Sequence, residues 1–315
     1  MRPDALSLDI VIVDYRAGAL LRDCLESLGA HPPEHVRLGT VIVVDNAPGG
    51  PPDAHRSPPG LSVTVVPNSV NRGFAAACNQ GAAIGRAPYV LFLNPDTRVQ
   101  NGSLDIPVRL LERTAEEYTG IVGVQLVGKT GIPGTTCYRF PKASHFLWKA
   151  IGIDRLAPER FSSGVYSDFR HDTTRQVDQV MGAFFMVRRS VFERLGGFDE
   201  RFFVYFEEMD FSKRAMDLGF RSLFIAEARA YHAGCGTTEM IRARRLFYSL
   251  RSRLKYADKH FSVTARALTW TVTFLLEPLS RLGMTLGRGR VSEARETLKS
   301  YLMLATWLIG FRDAE

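Results

Sequence analysis

Cysteine is scarce in this chain: four among 315 residues, at positions 24, 78, 137 and 235. No CxxC pair occurs and no Cys/His spacing suits zinc, so neither a disulfide scaffold nor a structural zinc is expected. Each cysteine reads as a small core or loop residue in a reducing compartment. There is no GxGxxG after the first strand-like segment and no GxxxxGK[ST], which weighs against dinucleotide-binding and P-loop enzymes. Long apolar runs are missing too. The most apolar tail segments, 268–279 and 301–311, are about a dozen residues each, short of the roughly 20 that span a bilayer. The N-terminus lacks a basic stretch followed by an apolar core, so no signal peptide is expected and the chain reads as cytoplasmic.

What is present is an ordinary globular composition, 45% apolar and 23% charged, with a net charge of +7. That balance favours anionic partners without choosing among nucleic acid, phosphorylated small molecules and an anionic membrane. Short β-branched runs at 8–14, 40–46, 61–66 and 89–94 alternate with helical patterns after the first and third. The β-α-β-β-α-β order predicts a doubly wound α/β sheet with its site at the C-terminal strand ends. Further on, 121–128 reads as a strand and 137–176 as long loops near a substrate. A strand near 180–189 precedes a short helix stopped by Gly196-Gly197, a helix over 206–219 and a strand at 221–227. From about 242 the pattern is helical and arginine-rich. Residues 1–260 are assigned to one domain and 261–315 to a basic amphipathic helical extension. For that extension two readings stay open: a surface resting on anionic lipid, or a helical cap or oligomer interface with a solvated basic face.

Asp14-Tyr15, Asp45-Asn46 and Asn94-Pro95-Asp96 end predicted strands. One such group alone reads as a helix cap or turn; three together mark a binding cleft. Glu207-Glu208-Met209-Asp210 opens a predicted helix. Acids there suit the helix dipole, but three within four residues also repel one another, which raises a pKa toward that of a general base.

In order along the chain, IVIVDY, VIVVDN, NSVNRGFAAACNQG, LFLNPDTRV, GAFFMVRRSVFERLGGFDERFFVYFEEMDFSKRAMDLGF and AYHAGCGTT resemble glycosyltransferase family 2. The resemblance covers about residues 7–260 and is nearest the bacterial rhamnosyltransferases of polysaccharide or lipid-linked oligosaccharide synthesis. It implies a GT-A fold: a mostly parallel sheet flanked by helices, here with a C-terminal helical extension. It also implies inverting transfer of a sugar from a nucleoside diphosphate to a hydroxyl. Tyr15 and Asp45 would then border the base and ribose, and Asn71, Arg72 and Gly73 would form a turn facing base and phosphate. Asn94 and Asp96 occupy the metal motif, usually Asp-x-Asp; an amide is the poorer hard-cation ligand, leaving Asp96 as the direct one. His232 matches a late histidine that completes the shell around Mg²⁺ or Mn²⁺. Glu208 stands where the base is usually an aspartate, one methylene shorter. Gly182, Ala183, Glu207 and Asp210 would border the acceptor, with Asp210 alternatively holding Arg214 at i+4.

The expected donor is dTDP-L-rhamnose, with UDP-sugars second. The expected acceptor is a saccharide or a polyprenyl-diphosphate-linked saccharide; nucleic acid is not expected as a partner. Peripheral contact with the inner face of the membrane and a homo-oligomer stay open. The rival readings are a nucleotide-sugar-binding protein without transfer activity, and a nucleotidylyltransferase. The latter ranks last because residues 14–18 hold a single glycine.

Overall fold

The computed structural model describes residues 6–49, 57–114, 118–166, 169–234 and 242–310. Cys235 and the end of AYHAGCGTT, with part of the Gly/Pro-rich loop after residue 46, lie outside the described residues. The chain forms two compact units. Among described residues, the first holds 6–139, 169–200 and 207–234, and the second holds 140–166, 201–206 and 242–310.

In chain order the elements begin β1 Ser7–Asp14, α1 Ala19–Ala30, β2 Arg37–Asp45, β3 Val63–Pro67, α2 Phe74–Ala82 and β4 Tyr89–Leu93. They continue β5 Thr97–Val99, α3 Asp105–Arg113, β6 Thr119–Val127, β7 Cys137–Tyr138, α4 Ala143–Ile151, α5 Ile153–Leu156 and β8 Arg175–Val177. Next come β9 Gln179–Val180, β10 Phe184–Arg188, α6 Arg189–Arg194, α7 Glu207–Asp217 and β11 Arg221–His232. The chain closes with α8 Arg242–His260, α9 Val263–Thr271, α10 Glu277–Gly287 and α11 Val291–Leu308.

The first unit is built on a sheet ordered β3-β2-β1-β4-β10-β6-β11-β5, with β8 also pairing β11. The β-α-β-β-α-β opening is the one expected. β3, β2, β1 and β4 run parallel; β10 lies antiparallel between β4 and β6, and β6 pairs parallel with β11. β1 is buried along its whole length, which is why LDIVIVD is mostly apolar and not alternating. α1 turns Leu21, Cys24, Leu25 and Leu28 inward, the helical spacing read in the sequence. Register sets Asp14 level with Asp45, and Asp45 level with Pro67, so the polar strand ends lie along one rim. Beneath α6 and α7, the rings of Phe92, Phe185, Phe192, Phe198 and Phe211 interlock, for example at 4.9 Å between Phe92 and Phe198. Tilted and edge-on aromatic packing of this kind fixes orientation as well as burying area, and it holds α7 on the sheet. Cys24, Cys78 and Cys137 are buried free thiols.

The second unit corrects one expectation. Residues 137–176, read as loops, contain α4 and α5. α4 is only nine residues long, capped by Lys142 and stopped by Gly152 at φ 77°, too short for its period to stand out against the flanking turns. Phe247, Leu250 and Leu254 of α8 pack with Leu304 of α11. α9 and α10 run on through a π-helical stretch at Val272–Leu276. The arginine-rich tail is not uniformly a solvated basic face either. Arg251 and Arg253 are buried, and Arg253 pairs with Glu277 and lies over the Phe146 ring. Arg281 donates to the other Glu277 oxygen. Despite the cost of burial, these arginines bring the Glu277 carboxyl down to about 2. Among the described residues no helix is long and apolar enough to cross a membrane.

Candidate active site

The rim at the ends of β1 and β2 is organised by a residue that sequence reasoning named only as part of the Asp45-Asn46 strand end, with no role of its own. Asn46 is buried. Its Nδ2 donates to Asn71 Oδ1 at 2.8 Å and to the Gly73 carbonyl at 3.2 Å. Its Oδ1 accepts from Asn68 Nδ2 at 3.1 Å and from the Arg72 N–H at 3.0 Å. One amide thus satisfies three partners of the Asn71-Arg72-Gly73 turn. Asn71 is itself structural, since its Oδ1 also accepts the Gly73 N–H at 2.9 Å. Gly73, at φ 84° and ψ 164°, leads into α2, a backbone conformation open essentially to glycine alone. With no side-chain cap on α2, its first N–H groups stay available to an anion. Arg72 is exposed and Asp45 half-buried; Asp45 Oδ1 accepts the Ala47 N–H at 3.1 Å. Tyr15 is half-buried beside Asp14, whose Oδ1 closes its loop on the Ala17 N–H at 2.9 Å.

The Asn94-Pro95-Asp96 turn follows β4. The Asn94 N–H donates to the Ala183 carbonyl at 3.0 Å, and the Asn94 carbonyl accepts from Thr97 at 3.1 Å. Ala183 is buried, so it supports this turn with its backbone. Asp96 is buried, and its Oδ1 lies 3.3 Å from His232 Nε2. Antiparallel pairing sets His232 opposite Thr97, and the Ala233 N–H donates to the Asp96 carbonyl at 3.1 Å. Two side chains 136 positions apart thus converge. Among the described residues no group of three or more His, Cys, Asp or Glu could hold a metal. Asp96 and His232 are a pair that could contribute a carboxylate and an imidazole to a divalent-ion site, short of a full shell on their own. A carboxylate plus phosphate oxygens suits Mg²⁺ or Mn²⁺.

The first turn of α7 carries the acids. It follows Tyr205 and Phe206, both in left-handed backbone at φ 67° and 71°, a conformation that costs non-glycine residues of order 1 kcal/mol each and is typical of functional segments. Glu207 is buried and Glu208 half-buried. The Oε2 atom of each is buried without a hydrogen-bond partner among the described residues. Burial pushes the Glu207 carboxyl well up, and the neighbouring Glu208 charge adds to the effect. Burial raises Glu208 as well, partly offset by backbone N–H groups including those of Met209 and Gly182. Gly182 lies against this side chain: a Cβ there would sit 3.7 Å from Glu208 Cγ and Cδ. Tyr138 is a further neighbour that sequence reasoning missed, its phenol pushed up by burial and then by Glu208. Asp210 has a different task. It is fully buried and holds Arg214 Nε at 2.7 Å, while Arg214 also donates to the Leu195 and Gly197 carbonyls. Of the two roles weighed for it, the geometry shows the pairing with Arg214.

One consequence is measurable in stability. A carboxyl raised in the fold contributes stability at low pH, which is lost as pH climbs through its folded value. Glu207→Gln, neutral at every pH, should match the parent in acid and exceed it at alkaline pH in urea unfolding. A parallel pH dependence for both proteins would show that Glu207 is not held protonated.

These features match a known family. Residues 3–255 match the model of "Glycosyltransferase like family 2". The chain belongs to that family and is a glycosyltransferase. It is 27% identical over 281 residues to an N-acetylglucosaminyl-diphospho-decaprenol L-rhamnosyltransferase of Mycobacterium tuberculosis, covering 84% of this chain and 89% of the relative. It is 26% identical over 169 residues to rhamnosyltransferase WbbL of Escherichia coli, covering 53% of this chain and 61% of WbbL. A solved mannosyltransferase of Pyrobaculum calidifontis, in complex with GDP-Man and Mn²⁺, superposes with a TM-score of 0.55 at 14% identity, covering 95% of this chain and 86% of its own. The structure of GalNAc-T7 with UDP, GalNAc and Mn²⁺ gives the same score over 81% of this chain and 51% of its own. At such identities the likeness speaks for the fold, and that fold is the GT-A sheet expected.

Proposed function

We propose that the chain is an inverting, divalent-metal-dependent transferase that moves L-rhamnose from dTDP-rhamnose to a saccharide hydroxyl on a polyprenyl-diphosphate carrier. The observation that carries the reading is Glu208, a half-buried carboxylate of raised pKa beside Gly182. There it can take the proton of an incoming hydroxyl as that oxygen attacks the anomeric carbon. A single in-line displacement inverts that carbon and expels the nucleoside diphosphate. Tyr15 and Asp45 receive the base and ribose. The N–H groups at the start of α2, with Arg72, face the diphosphate. Asp96 and His232 would hold the ion, which supplies charge neutralisation for the leaving diphosphate. Glu207 and Gly182 border the acceptor. The names of the rhamnosyltransferase relatives support rhamnose as the sugar and a polyprenyl-diphosphate carrier; the bound GDP-Man and UDP of the solved neighbours support a nucleoside-diphosphate donor in general.

Thermal unfolding with dTDP, UDP and GDP, each with and without Mn²⁺ or Mg²⁺, tests the donor half. Ligand at about a hundred times its Kd stabilises the native state by ~2.7 kcal/mol, a shift of roughly 5 °C or more. The expected result is the largest shift with dTDP, dependent on the metal and lost in Asp96→Ala. A larger shift with UDP would transfer the reading to a UDP-sugar. No shift with either pyrimidine nucleotide would remove the donor site.

A further inference from the structure

We infer that the second unit docks on an anionic membrane surface, with exposed leucines entering the acyl boundary and an arginine-lined pocket taking a headgroup phosphate. The helices from residue 263 onward are partly inverted, with several leucines outside and polar residues inside beside the buried Val272 and Leu304. Along the continuous α9–α10 helix, Leu268, Leu275, Leu279 and Leu286 are exposed at 37%, 61%, 71% and 57%. The buried positions of the same helix include Thr269, Thr273 and Glu277. α11 repeats the inversion. Leu298, Leu302 and Ile309 face outward at 53%, 59% and 70%, while Ala294, Thr297 and Ser300 face inward. Both outward sets follow four- and seven-residue steps, the spacing of one helical stripe. Contiguous apolar surface of this kind marks an interaction site.

Charge selects the occupant. Residues 263–310 hold six bases and three acids. Of the acids, Glu277 is buried with Arg253 and Arg281, Glu293 lies by Arg290, and Glu296 accepts the Ala243 N–H. Exposed Arg266, Arg288, Arg290, Arg295 and Lys299 therefore dominate the flanks. A cavity of about 170 Å³ is lined by Arg155, Arg281, Arg288 and Arg290, against the single acid Glu293. Beside Arg155, Leu156 is 85% exposed. Leucines rimmed by arginines match an acyl boundary beneath phosphate headgroups. A second copy fits less well, because a two-fold contact would set the same basic rim against itself.

Flotation of the full chain tests this, with vesicles of phosphatidylcholine alone or mixed with phosphatidylglycerol. The mixed vesicles should bind, and added salt should weaken binding. Neutral vesicles should bind at least ~tenfold more weakly, and Arg155→Glu with Arg288→Glu should cost a similar factor. Leu275→Ser, Leu279→Ser and Leu302→Ser together should lose ~tenfold or more. All these sites are exposed, so the variants should fold, and an unchanged urea-unfolding midpoint verifies it independently of the donor reading. Absent binding, equal binding to both vesicles, or binding unmoved by the arginine changes would overturn the proposal. Stabilisation by inorganic phosphate through Arg155 and Arg288 without vesicle binding would make the pocket a free-anion site. A leucine-dependent dimer in sedimentation without vesicle binding would assign the face to a second copy. Either result overturns the membrane assignment.

Discussion

Glu208→Gln should abolish sugar transfer while leaving donor binding intact. The amide keeps the shape of the side chain and its place against Gly182 but cannot accept the proton of the acceptor hydroxyl. A positioned general base contributes about 10²–10⁴-fold, so the residual rate should fall by at least two orders of magnitude in kcat. The nucleotide-induced thermal shift should persist, because no donor contact is assigned to this side chain. Glu208→Asp should retain part of the activity, since the shorter acid is the one the family's motif usually carries. The parent should also show an acid limb in kcat/KM above the ordinary glutamate range. Burial raises Glu208, only its carboxylate can act, and activity therefore climbs as pH passes that value. Turnover of the Gln variant above a few percent of the parent would remove Glu208 as the base.

The parts legible in the sequence share one property: their signal is local. β4 is an unbroken apolar run and β1 nearly one because both their faces are covered, and α1 shows its buried stripe within twelve residues. The acids of α7 stand side by side in the chain, so raised carboxyls could be anticipated there, but their main cause is burial, with repulsion acting only on Glu207. Asp96 and His232 were joined only through family resemblance, because nothing local in either segment points to the other. The Asn46 network was missed for the same reason. Asn46, Asn68 and Asn71 each look like ordinary turn residues, and their hydrogen bonds span 22 to 26 positions. Arg251 and Arg253 were read with the basic face, since a helical pattern cannot reveal that Glu277, on another helix, draws an arginine inward. Charge pairing across elements is a tertiary fact, and propensity gives way to it.

Asp9 is the extreme case, and the largest stability effect should follow from it. Within LDIVIVD it passes as one polar residue in a strand. In the fold its carboxylate is buried and fully engaged: Oδ1 accepts the Thr40 N–H at 2.7 Å, and Oδ2 accepts the Ala87 N–H at 2.7 Å and Arg189 NH2 at 2.8 Å. Arg189 is also buried and donates to the Ala82 and Ala87 carbonyls. Glycines let the backbone close around the acid, since a Cβ at Gly39 would fall 2.4 Å from Oδ1 and one at Gly85 2.1 Å from Oδ2. Removing one partner of such a pair leaves the other charge buried and uncompensated, at a cost of about 3–5 kcal/mol. Asp9→Ala should therefore lower the urea-unfolding free energy by that amount. Arg189→Met added to Asp9→Ala should restore part of it, because the stranded guanidinium is gone. Asp9 lies five residues before Asp14 on β1, roughly 16 Å along an extended strand. Nucleotide affinity of the folded Asp9→Ala protein should accordingly match the parent, separating a loss of fold from a loss of site. A cost below about 1 kcal/mol, or a double variant no more stable than Asp9→Ala, would show that the backbone bonds alone hold this end of the sheet.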